Sequence, residues 1–291
     1  MASQFFVTCR LKPTVAFEEF DGLPVNFGDG YELDFKKDLA WVTFEASRED
    51  WERKREEGLS RLRTYLSAVT LQKEYPFEIE PIQWIEVAGE PRGTESVLGR
   101  LEPSELVAQE KPPKVTTEDF DRAREYVIIA EMSPFFRIAM LDYSVALSFP
   151  REAVVFLARS LDAVEGHFRV NPTVPASMGK PQKVRDVMRT ALCLSNRELN
   201  RFHTIANETT LARHAKKLSQ LRAPTLNELR FCVVFCRQVL ERFAPYLWYE
   251  NRDTLKEVMP FPENVNPADE FMRGNESLQE LLRDILSGKL E

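Results

Sequence analysis

Two of the three histidines in this chain fall in one polar stretch, Ser195–His214, where SNRELNRFHTIANETTLARH interleaves them with arginine, asparagine and threonine. Imidazole exchanges protons near neutral pH and guanidinium grips phosphate in a planar fork, so the combination suits acid–base chemistry on a phosphorylated ligand, or simply its retention. The local charge agrees. From Lys180 to Arg222 ten basic residues stand against three acidic ones, a local +7 in a chain of net charge −7. Lys183, Arg189, Arg197, Arg201, His203, Lys216 and Lys217 are the candidate contacts for an anionic partner; the alternative is that they pair with acidic neighbours in the fold. His203, beside Phe202, also reads as a partly buried core histidine. His214, next to Arg213, and His167 also read as cations at helix ends, where the backbone dipole favours them.

Other chemistry has little to stand on. The chain contains no GxxxxGK[ST] loop, GxGxxG fingerprint, GxSxG elbow or HExxH helix, and no motif calls for a cofactor. Cys232 and Cys236 are one helical turn apart. With His203 or His214 they would make half a metal site, but no second cysteine pair completes it, so all four cysteines read as free core thiols and no metal is assigned. Of the aromatics, Phe5-Phe6, Phe135-Phe136 and Trp248-Tyr249 fall at core-like or closing positions, with a base-stacking platform at Trp248 and Tyr249 as the alternative. No apolar run approaches the 18 residues of a membrane span, and the short apolar patch near Met1 lacks a signal peptide's basic start. A cytoplasmic location and no membrane partner are expected.

The elements that must position these residues follow from periodicity. Phe5–Leu11, Tyr31–Phe35 and Leu39–Phe44 read as strands, with Gly28-Asp29-Gly30 as a turn. Ser47 with Asp50 opens a helix whose apolar positions run through Trp51, Leu59, Leu62, Leu66 and Val69. A strand pair follows, Phe77–Ile79 and Ile82–Val87, split by Pro81. Residues 1–100 thus form an α+β module, a small, mostly antiparallel sheet with one long helix. Residues 101–115, rich in proline and charge, read as a linker. From a Thr116–Asp119 capping box to about Glu250 the pattern is helical: Phe135–Leu147, Arg151–Phe168, Pro181–Leu194, Asn196–Ala206 behind a Ser195–Glu198 box, and Leu226–Phe243. Asn171–Lys180 is a loop. Residues 251–291 form an acidic tail in which Leu278, Leu281, Leu282, Ile285 and Leu286 share one helical stripe, for docking on the protein's own body or on a partner.

The helical half, about Val115–Tyr246, resembles HEPN domains. Arg151–Phe168, REAVVFLARSLDAVEGHF, looks like the HEPN helix that carries an acidic residue after an apolar stripe, with Asp162 or Glu165 in that role. The helix pair Lys183–Leu194 and Asn196–Ala206 follows, then the polar turn Ala206-Asn207-Glu208 leading to Arg213-His214, and a long closing helix. In that family an arginine, a polar residue and a histidine four to six positions past the arginine form an RNA-cleaving site, usually where two subunits meet. The resemblance implies His214, Arg213 and Asn207 as catalytic residues of a metal-independent endoribonuclease: histidine moves the proton and arginine steadies phosphorane charge. Here Ala206 stands at the family's arginine position and Asn207 at its polar one, with Arg213 as a relocated cation. Arg197, Glu198 and His203 match the spacing literally, but six positions along one helix leave side chains about 240° apart. The expectation is therefore a two-domain protein of binding or assembly type: an α+β module, then an all-α bundle with a catalytically reduced HEPN-like site. It would be a homodimer through the helical domain, with RNA as possible ligand. The alternatives are an active ribonuclease and a scaffold without ligand.

Overall fold

The computed structural model describes residues 3–17, 20, 22–27, 30–47, 49–86, 112–170, 181–209 and 222–251. Most of the expected linker, the Asn171–Lys180 loop, the greasy stripe of the tail, and Arg213, His214, Lys216 and Lys217 lie outside them. The architecture is an N-terminal α+β unit followed by an all-α region. The chain divides into two compact units, Met1–Val127 and Ile128–Glu291. No helix among the described residues is long and apolar enough to cross a membrane.

Among the described residues the first unit is built on five antiparallel strands: β1 (Ser3–Lys12), β2 (Leu23–Asn26), β3 (Tyr31–Lys36), β4 (Leu39–Ala46) and β5 (Glu78–Glu86), in the order β2-β3-β4-β1-β5. Alternation sets the two faces. Phe5, Val7, Cys9 and Leu11 of β1 point inward and are buried, while Phe6, Thr8 and Arg10 point outward. The inward face packs under α1 (Trp51–Lys73) through Leu59, Leu62, Tyr65 and Leu66. Gly58 lets the helix approach: a Cβ there would lie 2.5 Å from the Val42 side chain. The two short strands expected around Pro81 are one edge strand. β5 runs through the proline with a bulge opposite Thr8 and Cys9, the arrangement an edge tolerates because Pro81 has no N–H to donate.

α2 (Thr117–Met132) starts in the first unit. Thr116 and Asp119 cap each other reciprocally, with Thr116 N donating to Asp119 Oδ2 at 2.9 Å and Asp119 N to Thr116 Oγ1 at 3.4 Å. Lys73 Nζ lies 2.8 Å from the same Oδ2. Phe120 then enters an aromatic cluster, its ring 4.6 Å from that of Phe20 and 4.7 Å from that of Phe35. This packing places the first half of α2 with the sheet.

In the second unit α3 (Pro134–Ser148) and α4 (Ala153–Val170) form a hairpin, and α5 (Pro181–Ala191), α6 (Asn196–Glu208) and α7 (Leu226–Glu250) complete the bundle. α3 begins where Ser133 accepts from Phe136 N with proline at the first turn. Ser160 inside α4 is buried and donates to the Ala139 carbonyl at 2.8 Å, which satisfies its hydroxyl and ties the two helices together. α7 runs seven residues past the expected end at Phe243. Pro245 removes one backbone bond, but Ala244, Leu247 and Trp248 continue the buried stripe, and tertiary burial outweighs that loss. Trp248, 6% exposed, therefore belongs to the core and offers no stacking surface.

Candidate functional site

The helical unit carries a carboxylate where periodicity calls for an apolar residue. On α4 the buried stripe runs Leu157, Leu161, Val164, Phe168, and Glu165 sits inside it at 3% exposure. A buried charge at that depth persists only with partners. Arg185 on α5 donates Nε to Glu165 Oε1 at 2.9 Å, and His203 Nε2 on α6 lies 3.3 Å from the same oxygen. The imidazole is within ion-pair range but not aligned for a hydrogen bond, and its Nε2 is buried without another partner among the described residues. Three helices thus converge on one oxygen, with the Arg185 side chain 33% and the His203 side chain 18% exposed.

The turn between α5 and α6 fixes this convergence. Cys193 adopts a left-handed conformation (φ 49°), Leu194 N returns to the Arg189 carbonyl at 2.8 Å, and Arg242 of α7 donates to the Leu192 and Cys193 carbonyls. Ser195 then caps α6, accepting from Glu198 N. α5 ends three residues before the expected Leu194 because this closure requires it. At its other end α6 runs to Glu208, where Thr209 is fully buried and bridges Arg222.

The same helices place several of the expected site residues. Asn207 is not in a turn: it lies exposed in the last turn of α6, because Ile205, Ala206 and Thr209 bury and carry the helix past Ala206. It is four positions from His203, and Asn196 and Asn200 extend the same stripe, with Asn200 Nδ2 donating to Asn196 Oδ1 at 3.4 Å. Arg189, one turn beyond Arg185 on α5, is half-buried with its Nε lacking a hydrogen-bond partner among the described residues. Arg197 and Arg201 are exposed on another face of α6, and the Arg201 guanidinium lies 4.2 Å from the Phe231 ring centroid. The side chain of Lys183 lies outside the described residues, as do Arg213, His214, Lys216 and Lys217. The structure therefore gathers His203 with Arg185 and separates both from Arg197 and Arg201.

Arg185 is absent from the expected site residues, and Glu165 entered through the family resemblance. The break in the α4 stripe was the signal for Glu165. Arg185 carried none beyond being one of ten cations in the basic stretch.

The other buried ionisable groups read differently. Asp142 of α3, 6% exposed, meets Arg159 at 3.1 Å, and burial raises its carboxyl pKa although Arg159 opposes the shift. His167 is enclosed by the rings of Phe135, Phe168, Phe243 and Tyr246 and lies 3.0 Å from Glu250 Oε2, tying the last turn of α4 to that of α7. Cys232 and Cys236 lie in the core, and burial pushes the Cys232 thiol up to about 12 and that of Cys236 well above its ordinary value. Among the described residues no three His, Cys, Asp or Glu side chains are placed to hold a metal ion. No family model, curated protein or solved structure matches this chain.

Proposed function

We propose that this is a binding or assembly protein whose helical unit is a catalytically reduced HEPN-like module that associates with RNA. The observation that carries the reading is the buried Glu165 carboxylate holding an arginine and a histidine from two other helices at one oxygen. Glu165 fixes the guanidinium by its Nε, which leaves the terminal nitrogens of Arg185 for a phosphate oxygen. The asparagine stripe beside His203 offers amide donors and acceptors for ribose and base edges. Lys183, Arg189 and the other cations of the Lys180–Arg222 stretch supply attraction at longer range. Dimerisation through the helical unit belongs to the same reading, since one imidazole and one arginine form half of a paired site.

The test is the affinity of the full chain for a labelled single-stranded RNA across a salt series. The wild type should lose affinity steeply with salt, and Arg185→Ala should flatten the slope by about 0.7 for each phosphate it no longer neutralises. Salt-independent binding, or none, would leave the scaffold alternative standing.

A second reading, metal-independent ribonuclease, is favoured by the 3.3 Å approach of His203 to a carboxylate whose charge would stabilise the imidazolium formed on proton uptake. In that chemistry the imidazole accepts the 2′-hydroxyl proton, the 2′-oxygen bonds to phosphorus, and the bond to the 5′-oxygen breaks as that oxygen takes a proton from the imidazolium or from water. The products are a 2′,3′-cyclic phosphate and a 5′-hydroxyl. Incubation with labelled RNA and a chelator, comparing wild type with His203→Ala and His214→Ala, separates the readings: intact RNA with all three proteins removes the nuclease.

A further inference from the structure

The outward face of the sheet breaks its own alternation. A sheet face left to solvent is expected to be polar, yet Phe6 of β1 and Trp41 of β4 stand on it at the centre, half-buried. Register pairs Phe6 with Thr43 and Thr8 with Trp41, so the two rings are diagonal neighbours on adjacent strands, about 7 Å apart at Cβ. Between them is an open depression of about 520 Å³ lined by Phe6, Thr8, Asp34, Lys36, Trp41 and Thr43. Asp34 and Lys36 alternate along β3 on this same face, and neither has a hydrogen bond or ion pair among the described residues. By contrast, Arg10 and Lys12 at the end of β1 are held by Asp38 and Glu80.

The lining describes its ligand. Two aromatic rings ask for a flat partner with π faces to stack on them. A carboxylate at the edge asks for N–H donors in the plane of that partner. One free ammonium two residues along asks for a single anionic group. Residues 1–127 contain 17 basic and 26 acidic residues, a net −9, so this unit does not track a polyanion by charge. A base recognised by stacking and edge hydrogen bonds is compatible with that charge.

We infer that the outer sheet face binds a guanine nucleotide of single-stranded RNA. The base stacks on Trp41 and Phe6, its N1–H and amino group donate to Asp34, and Lys36 meets the phosphate. Guanine is the base whose pairing edge presents two adjacent donors to a carboxylate; uracil presents one, and adenine and cytosine present an amino group beside an acceptor. The inference deepens the RNA reading by assigning base choice to the sheet unit, and it rests on that reading for its biological ligand but not for its chemistry.

The experiment uses the full chain with guanosine and uridine monophosphates, followed by tryptophan fluorescence and by chemical-shift changes in the sheet. The wild type should bind the guanine nucleotide at least ten-fold more tightly. Asp34→Asn should erase the preference, and Trp41→Ala should abolish binding while the circular dichroism melt is kept. Phe6→Leu, which keeps an apolar side chain, should weaken binding if Trp41→Ala proves poorly folded. Binding at this face should also change little with salt. Equal affinity for the two nucleotides, or binding that survives in both Trp41→Ala and Phe6→Leu, overturns the inference. Guanine preference at the sheet with no RNA held through Arg185 would remove the proposed function and leave this site. RNA binding that depends on Arg185 and ignores Trp41 would do the reverse.

Discussion

The sheet unit and the helical unit bury carboxylates in different ways. In the sheet unit Asp119, 9% exposed, caps the first turn of α2 against its neighbour Thr116, and Lys73 of α1 adds a charge to the same carboxylate. In the helical unit Glu165 sits inside a helix, with no terminus to cap, and its partners come 20 and 38 positions further along the chain on other helices. The first arrangement stabilises an element. The second is weak ground for stability, because replacing a buried ionic cluster by well-packed hydrophobes is often neutral or stabilising.

That difference has measurable consequences in both units. The sheet unit should fail first through its aromatic core: Phe120→Ala should destabilise it by about 3–5 kcal/mol in denaturant melts, and a loss below about 1 kcal/mol would mean that α2 is not anchored there. Gly58→Ala should cost about 1–3 kcal/mol by forcing α1 away from Val42, read as a lower midpoint with an unchanged denaturant slope.

In the helical unit the corresponding cap is Thr225 with Glu228, whose carboxylate also takes both terminal nitrogens of Arg222 at 2.6 and 2.7 Å. The Arg222 bond, then the Thr225 backbone bond, hold the Glu228 pKa down at about 2. A carboxyl depressed in the folded state binds its proton more readily when unfolded. Its stabilisation is therefore full above the ordinary carboxylate range and fades as pH falls through that range towards 2. Glu228→Gln keeps an oxygen for the Thr225 N–H but loses the charge that holds Arg222, so it should lower stability at neutral pH, and the deficit against wild type should shrink on acidification. A deficit independent of pH would mean that Arg222 does not hold this carboxylate.

The smallest effect concerns the thiols. Burial raises Cys9 and Cys232 to about 12, so neither should react with a thiol reagent at neutral pH until the protein is unfolded. Rapid modification of the native protein would show that one of the two cores opens.

Much of the framework is legible in the residues. Strict alternation in Tyr31–Lys36 and the Thr116–Asp119 and Ser195–Glu198 pairs mark β3 and the starts of two helices, because each is a local pattern with a local cause. The ends of α5 and α7 are not legible. The α5 turn closes on Arg242, 49 residues away, and α7 runs past Pro245 because distant side chains bury its last turns. The site follows the same rule. His203 is visible in a polar stretch, but its partnership with Glu165 depends on how three helices pack, and the match of Arg197 to His203 in spacing fails because both lie on one continuous helix. On the sheet, Phe5-Phe6 reads as a core pair, yet a strand sends neighbours to opposite faces, so Phe6 emerges outside.

If Glu165 makes Arg185 and His203 act together on RNA, the coupling must appear in a double-mutant cycle. RNA dissociation constants at one fixed salt concentration would be compared for wild type, Glu165→Gln, Arg185→Ala and the pair, with melts confirming that each is folded. Each single variant should weaken binding, and the double variant should be no weaker than the worse single one. Losses that multiply, or a Glu165→Gln protein that binds as the wild type does, would show that the buried carboxylate does not organise an RNA site.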